Sequence, residues 1–185
     1  MHESTIGSRR VFEGRLLDVD VLDVELDSGR QSVREIVRHG GAAVVLAQRP
    51  DGRFVLVRQY RKPVERVLTE AVAGTLEEGE DPRDCARREL EEETGYTAAS
   101  LTDLGQVYPA PGYTDEVLFL YYARLNPEPG AGAPEEDEVI EVVVLTETEL
   151  EAMIRRGEIR DAKTLAAWLL YRSTAVHAPD RETAS

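Results

Sequence analysis

Three glutamates near the middle of the chain have the residue type and spacing that can hold a metal ion. Glu89, Glu92 and Glu93 occupy positions i, i+3 and i+4, so a helix would place all three carboxylates on one face. Like charges at this spacing destabilise an isolated helix by about a few tenths of a kcal/mol per pair. A hard cation such as Mg²⁺ reverses the sign of this effect, because it takes carboxylate oxygens as ligands.

The alternative is a solvated acidic helix face, which is the usual meaning of a run of glutamates. Three arginines in the same segment can pair locally with the acids and favour this second interpretation: Arg83, Arg87 and Arg88. On the glutamates alone, the solvated face is the better interpretation. Both therefore stay open until the surrounding residues are considered.

The residues around the glutamates predict a short helix that follows an acidic turn. Asp81 is a good N-cap, Pro82 suits the first helical turn, and Gly95 suits a left-handed C-terminal stop. Ala86 and Leu90 form an apolar stripe that can pack inward. The turn before the helix reads Glu-Glu-Gly-Glu over residues 77–80.

The complete spacing is far more specific than the glutamates alone. Gly74, five further residues, Glu80, seven further residues and then the run Arg88-Glu89-Leu90-x-Glu92-Glu93-x-Gly95 resemble the signature of the Nudix hydrolases. Only Tyr96 departs, because the family usually has an aliphatic packing residue there. The resemblance implies a metal-dependent hydrolase that cleaves a nucleoside diphosphate linked to another moiety.

A second resemblance, to the ADP-ribose pyrophosphatase subgroup of this family, narrows the substrate. Pro111 follows Gly95 by sixteen residues and begins the run Pro-Gly-x-x-x-Glu. Three further stretches resemble the same subgroup: residues 32–37, 58–61 and 135–141. Val72 departs, since many members carry proline there. The implied reaction is hydrolysis of ADP-ribose to AMP and ribose 5-phosphate by metal-activated water, with Mg²⁺ or Mn²⁺ as cofactor.

Two other functions remain as alternatives. The substrate can instead be another nucleoside diphosphate sugar or a dinucleotide, such as ADP-glucose, GDP-mannose or a diadenosine polyphosphate. A nucleotide sensor that binds without cleavage is the less favoured alternative, because all three helix glutamates are present.

The resemblance also implies the site residues, position by position. The metal ligands are Glu89, Glu92, Glu93, Glu138 and the backbone carbonyl of Ala73. The catalytic residues are Glu136 as general base, Glu92 and Arg88, and Glu80 and Arg88 brace the loop and the helix. The substrate-binding residues are Arg34, Glu35, Arg61, Ala110, Pro111, Gly112 and Glu116. From composition alone, the loop that carries Glu136 and Glu138 reads as a solvated acidic linker.

Composition limits the classes of partner. With 22 basic and 36 acidic residues, the 185-residue chain has a formal net charge of −14. This charge repels nucleic acid and anionic membranes, so neither is an expected partner. One cysteine excludes an internal disulfide, and three histidines make a histidine-rich metal site improbable. The polar N-terminus lacks a signal-peptide core, so a cytoplasmic location is expected.

The pattern along the chain predicts an α/β protein of three parts. Residues 1–39 are expected to form an antiparallel β-hairpin sheet that serves dimerisation, with residues 1–9 loosely ordered and one amphipathic stretch over 11–26. Residues 40–172 are expected to form the hydrolase domain, a Nudix-type α/β/α sandwich with a mixed sheet. Residues 173–185 are expected to be a flexible tail. A homodimer is the predicted assembly.

Overall fold

A computed structural model describes residues 2–130 and 139–174 of the chain. Its strands are β1 (Glu3–Glu13), β2 (Asp18–Leu26), β3 (Gln31–Arg38), β4 (Ala42–Gln48), β5 (Phe54–Arg61), β6 (Arg66–Glu70), β7 (Val72–Thr75), β8 (Ala98–Val107), β9 (Leu118–Leu125) and β10 (Ile140–Leu145). Its helices are α1 (Pro82–Thr94), α2 (Glu147–Arg155) and α3 (Ala162–Ser173). The chain divides into two compact units, an N-terminal unit of Met1–Gly41 with Tyr108–Val117, and a sheet unit of Ala42–Val107 with Leu118–Ser185.

The N-terminal unit contains a three-stranded antiparallel sheet in the order β1-β2-β3. The predicted antiparallel sheet is confirmed, but two details were wrong. The segment expected to be loosely ordered is part of β1, which pairs with β2 along most of its length. The stretch over 11–26 is broken by a turn, where the Gly14 amide donates to the Leu17 carbonyl at 3.0 Å. The side chains of β1 are mostly polar, so the sequence pattern did not predict a strand there. The strand is held by its backbone pairing with β2.

The sheet unit contains a seven-stranded mixed sheet. Five strands follow the order β10-β5-β4-β9-β8, while β6 pairs with β5 and β7 pairs with β4. The β4–β9 pair is parallel, and the other pairs are antiparallel. The segment that leads to the acidic turn forms two short strands, β6 and β7, on either side of Ala71.

Helices cover both faces of this sheet. On one face α1 packs Cys85, Ala86 and Leu90 against the sheet, whereas α2 and α3 pack on the other face. The alternation of β4 explains the two cores, since Val45 faces α1 while Val44 belongs to the opposite core. Each fully buried aliphatic side chain contributes about 1.5–3 kcal/mol relative to exposure. The predicted α/β/α sandwich with a mixed sheet is confirmed.

Local capping residues set the helix starts, and those of α1 are the predicted ones. The Asp81 carboxylate accepts from the Arg83 amide at the start of α1, and Gly95 ends that helix with a left-handed φ of 73°. A capping box of Thr146 and Glu149 opens α2, and Asp161 caps α3. Within the described ranges, no helix is both long enough and apolar enough to cross a bilayer. The cytoplasmic location stays a prediction.

Candidate active site

Arg88 lies at the centre of the acidic cluster on α1. Its guanidinium donates to both oxygens of Glu80, at 2.9 and 3.0 Å, and to the Thr75 carbonyl at 3.3 Å. The Glu80 carboxylate also accepts from the Glu77 amide at 3.0 Å. These hydrogen bonds, chiefly those from Arg88, lower the pKa of Glu80 from 4.5 to about 2. Arg88 and Glu80 therefore tie the acidic turn to the helix.

The same guanidinium also binds two of the predicted metal ligands. Arg88 Nη1 donates to Glu89 Oε1 at 2.6 Å and to Glu92 Oε2 at 3.1 Å. Such pairing is what the solvated-face interpretation expects, so these contacts alone do not distinguish it from a metal site. Arg88 contacts one oxygen of each carboxylate, so its contacts and those of a cation can involve different oxygen atoms.

Gly74 lets the Glu89 carboxylate approach the backbone of β7. A Cβ added at Gly74 would lie 1.8 Å from both Cδ and Oε1 of Glu89. Only glycine therefore allows the carboxylate to take this position, immediately after Ala73, whose carbonyl is a predicted ligand. The pairing of Gly74 with Glu89 therefore has a direct steric reason in this fold.

The three helix glutamates do not share one solvent-facing surface. Glu93 is buried, with 6% of its surface exposed, whereas the Glu92 side chain is 40% exposed. The negative charge of Glu93 contributes to raising the pKa of Arg61 at the end of β5, after the larger effect of Glu70. The three residues lie on one helix at the expected spacing, but their exposure differs, because part of that face is covered.

The donor chemistry suits a hard divalent cation, although the described side chains do not form a closed site. Among residues 2–130 and 139–174, no three His, Cys, Asp or Glu side chains converge as a metal-binding group. Carboxylate oxygens from Glu89, Glu92 and Glu93 and the Ala73 carbonyl are nevertheless the ligand type that Mg²⁺ prefers. Glu136 and Glu138, the predicted base and further ligand, lie outside the described residues.

Arg61 belongs to a buried charge network that sequence reasoning missed. Its guanidinium donates to both oxygens of Glu70, at 3.0 and 2.8 Å, and Lys163 binds the same carboxylate. Lys163 also lies 3.0 Å from the Asp161 carboxylate. The available signal for Glu70 was its position directly before the apolar run that begins at Ala71, but nothing local pointed to its partners.

Predicted substrate-binding residues of the N-terminal unit line one cleft of about 390 Å³. Arg34 and Glu35 come from β3, and Pro111 and Gly112 come from the loop of residues 108–117. Glu3 also lines this cleft and binds the Arg34 guanidinium, with Nε to Oε2 at 2.9 Å. The unit therefore brings together two pairs of neighbouring residues that lie more than seventy residues apart in the sequence.

Arg38 and Asp115 fasten this loop to β3. Arg38 Nη1 donates to Asp115 Oδ2 at 2.8 Å, and the other oxygen of Asp115 accepts from the His39 amide at 3.1 Å. Val37 adds backbone hydrogen bonds to the loop, donating to the Tyr113 carbonyl at 2.7 Å. Burial raises the pKa of Asp115, but the Arg38 hydrogen bond and the His39 amide lower it below its ordinary value overall.

The remaining predicted residues of the loop lie next to this contact. The Ala110 carbonyl accepts from the amides of Tyr113 and Thr114, at 3.1 and 3.2 Å, and so shapes the turn. Glu116 Oε1 lies 3.7 Å from His39 Nδ1 and does not line the cleft that contains Arg34. Asp115, which was not predicted, has the stronger structural link to β3.

Comparisons with known proteins agree on one family. The family model described as NUDIX domain matches residues 37–168. The chain is 43% identical over 168 residues to an ADP-ribose pyrophosphatase of Bacillus subtilis, covering 90% of this chain and 91% of that protein. It is 44% identical over 166 residues to a methanol dehydrogenase activator of Bacillus methanolicus, covering 89% and 90%.

Two further similarities widen the range of substrates among the relatives. A GDP-mannose pyrophosphatase of Yersinia enterocolitica is 36% identical over 173 residues, with 88% of each chain covered. A crystal structure described as an ADP compounds hydrolase superposes with a TM-score of 0.80 at 26% identity, covering 94% of each chain.

Proposed function

Because the chain belongs to the Nudix family and is a Nudix hydrolase, we propose that it hydrolyses ADP-ribose to AMP and ribose 5-phosphate with Mg²⁺ or Mn²⁺. One observation carries the proposal: the chain combines an unbroken signature from Gly74 to Gly95 with 43% identity to an ADP-ribose pyrophosphatase along 90% of its length. Nudix hydrolases generally use divalent cations.

The proposed ligands of the cation are the carboxylates of Glu89, Glu92 and Glu93, the Ala73 carbonyl and Glu138. When bound, a divalent cation supplies charge neutralisation for the diphosphate and lowers the pKa of water. The chain must supply the general base and a group that binds the diphosphate. Glu136 is the proposed base that takes the proton from the attacking water. Arg61 is the proposed side chain that binds the diphosphate through its positive charge.

Arg88 is proposed to hold the carboxylates of Glu89 and Glu92 in position. Its fork on Glu80 fixes the guanidinium, and its contacts with Glu89 and Glu92 limit how far these carboxylates can move. A fixed set of oxygen atoms loses little freedom when a cation binds. Arg88 therefore supports the chemistry without touching the reacting atoms.

The nucleoside end of the substrate is assigned to the N-terminal unit. The cleft lined by Arg34, Glu35, Pro111 and Gly112 combines the Arg34–Glu3 ion pair with backbone and apolar surface. Tyr113 lines the same cleft and is largely exposed, so its ring is available for stacking. This arrangement suits a flat base with an attached polar ribose.

The direct test is an assay of the purified full chain with ADP-ribose. AMP and ribose 5-phosphate should form with Mg²⁺ or Mn²⁺, and their formation should stop when EDTA is added. Metal alone should raise the melting temperature of the wild-type protein more than that of Glu89→Gln, since a ligand that binds only the folded state stabilises it. Binding of ADP-ribose without turnover under all metals would instead support the sensor interpretation.

A GDP-mannose pyrophosphatase activity is the second candidate, favoured by the 36% identity to that relative. Both reactions break the same kind of diphosphate linkage, so the helix glutamates do not discriminate between them. The values of kcat/KM for ADP-ribose, ADP-glucose, GDP-mannose and a diadenosine polyphosphate discriminate directly. A value for GDP-mannose above that for ADP-ribose would replace the first proposal.

A second copy of the chain is the proposed partner. Apolar side chains of the N-terminal unit are more than half exposed: Ile6, Val11, Phe12, Leu16 and Val33. Exposed apolar groups on a small three-stranded sheet are typical of an interface. Sedimentation velocity should show a dimer, and Phe12→Ser should shift it toward a monomer. A wild-type monomer with full activity would contradict the assembly.

A further inference from the structure

Glu70 is the most deeply buried charged side chain beside the proposed site. Only 1% of its surface is exposed, at the end of β6. It accepts two parallel hydrogen bonds from Arg61 and a third contact from Lys163. Burial alone would raise the pKa of Glu70, but the two cations hold it below the ordinary value. The carboxylate is therefore ionised.

A buried ionic cluster of this kind is a weak source of stability. Removing charges from water costs several kcal/mol per ion, and well-packed apolar residues are often about as stabilising. What the cluster does supply is geometry, because a two-point fork fixes both the plane and the direction of a guanidinium. The cluster is thus better explained by the need to orient Arg61 than by folding.

The orientation of Arg61 matters because one side of it remains accessible. Its side chain is 38% exposed while its Nε and Nη2 atoms are held by Glu70. The charge of Glu93 acts on the same guanidinium. An arginine held in this way can meet a phosphate without losing further side-chain freedom, whereas an untethered arginine loses it on binding.

The network continues into the backbone that leads to the signature. Thr164 at the start of α3 accepts from the Ala71 amide at 2.7 Å and donates to Asp161 at 2.5 Å. Ala71 is the junction between β6 and β7, two residues before Ala73. The start of α3 therefore holds both Glu70, through Lys163, and the strand that carries a proposed ligand.

We propose that Glu70 is a positioning residue for the hydrolase, which fixes the Arg61 guanidinium toward the substrate diphosphate while Lys163 and Thr164 anchor Glu70 and the β6–β7 junction to α3. The inference rests on the proposed function for its kinetic effect. Its structural part, the immobilisation of Arg61, stands without it.

A double-mutant cycle tests the kinetic part. Glu70→Gln is expected to lower kcat/KM for ADP-ribose by about 10–100-fold, the size of loss that a misplaced contact near 1 Å can cause. In an Arg61→Met background, the same Glu70→Gln change is expected to cost less than twofold, because its effect passes through Arg61. Equal losses in both backgrounds would overturn the proposal.

A spectroscopic measurement tests the structural part without substrate or metal. In the ¹⁵N spectrum of the full chain, the Arg61 Nε–H signal, assigned by its loss in Arg61→Met, should exchange slowly with water. Glu70→Gln should make that exchange at least tenfold faster. An unchanged exchange rate would overturn the proposal. If wild type fails to cleave ADP-ribose, the proposed function fails, yet this measurement still decides whether Glu70 holds Arg61.

The chain provides a matched control. Glu158 holds Arg156 through the same two-point geometry, at 2.6 and 3.0 Å, but both side chains are about half exposed. Glu158→Gln should change kcat/KM by less than twofold. If Glu70→Gln does not fold, Glu70→Asp takes its place in the cycle, since it keeps the charge but shortens the reach to Arg61. The same additive outcome would then count against the proposal.

Discussion

The Arg88 guanidinium of α1 donates two parallel hydrogen bonds, at 2.9 and 3.0 Å, to the Glu80 carboxylate of the acidic turn. The same arginine reaches Glu89 and Glu92 with Nη1. One side chain therefore links the conformation of the turn to the positions of two proposed ligands. A change in the conformation of the turn should therefore displace these ligands.

The contribution of Glu80 to stability should depend on pH. Its pKa falls from 4.5 to about 2 in the folded protein, chiefly through the Arg88 hydrogen bonds. Because the folded pKa is the lower one, the stabilisation is complete above about pH 5 and is lost as the pH falls toward 2. The melting temperature of wild type should exceed that of Glu80→Gln at pH 7, and the difference should shrink at pH 3.

The exposed Glu78 of the same turn supplies the control for this experiment. Glu78→Gln should change the melting temperature little, and equally at both pH values. A difference between wild type and Glu80→Gln that stays constant from pH 7 to pH 3 would contradict the linkage.

Glu93→Gln should remove most of the activity while the protein stays folded. The change keeps the volume of a buried side chain but removes the charge that a cation needs. The kcat should fall by at least about 100-fold, since losing a ligand should cost no less than losing an outer-shell partner. Glu91 lies on the exposed side of the same helix and gives the control, Glu91→Gln. Steady-state kinetics with ADP-ribose measures both. Equal activity of the two variants would refute the metal assignment.

Gly74→Ala should impair catalysis more than stability. The added Cβ would collide with the end of the Glu89 side chain, 1.8 Å away, and that carboxylate can swing aside at modest cost to folding. The displaced carboxylate then no longer serves a cation, so kcat/KM should drop at least tenfold. In a Glu89→Ala background, Gly74→Ala should cause no further loss. A large additional loss there would place the effect elsewhere in the backbone.

Asp115→Asn should weaken substrate binding more than it slows the reaction. The carboxylate fastens the loop to Arg38 and to the His39 amide, and that loop lines the cleft assigned to the nucleoside. KM for ADP-ribose should rise by about tenfold, equivalent to about 1.4 kcal/mol of binding free energy, while kcat changes little. Asp23→Asn is the control, since Asp23 only approaches Arg9 at 3.8 Å on the surface. An unchanged KM would contradict this assignment.

Features coded by neighbouring residues were predictable from the sequence. The caps of α1 lie within the helix segment itself, so Asp81 and Gly95 set its bounds before any tertiary contact is known. The mixed sheet between helices followed from the signature and the apolar strands. The polar strand β1 was not predictable in this way, because its side chains carry almost no apolar alternation and its pairing with β2 is made by backbone groups.

Contacts between distant residues were beyond the reach of pattern reasoning. Lys163 and Glu70 are 93 residues apart, and Arg38 and Asp115 are 77 residues apart. Nothing in the sequence around these four charged residues marks them as partners, and only the fold brings each pair together. The burial of Glu93 was not predictable for a related reason. Residue spacing defines a helix face but does not show how much of that face is covered by other parts of the protein.

The single cysteine has a practical consequence for experiments. Cys85 is fully buried on the side of α1 that faces the sheet, and burial raises the pKa of its thiol to about 12, so almost no thiolate exists near neutral pH. Maleimide dyes and alkylating reagents attack thiolates, so they should leave the native protein unmodified. A cysteine introduced on the surface can therefore be labelled selectively for fluorescence without first removing the natural one.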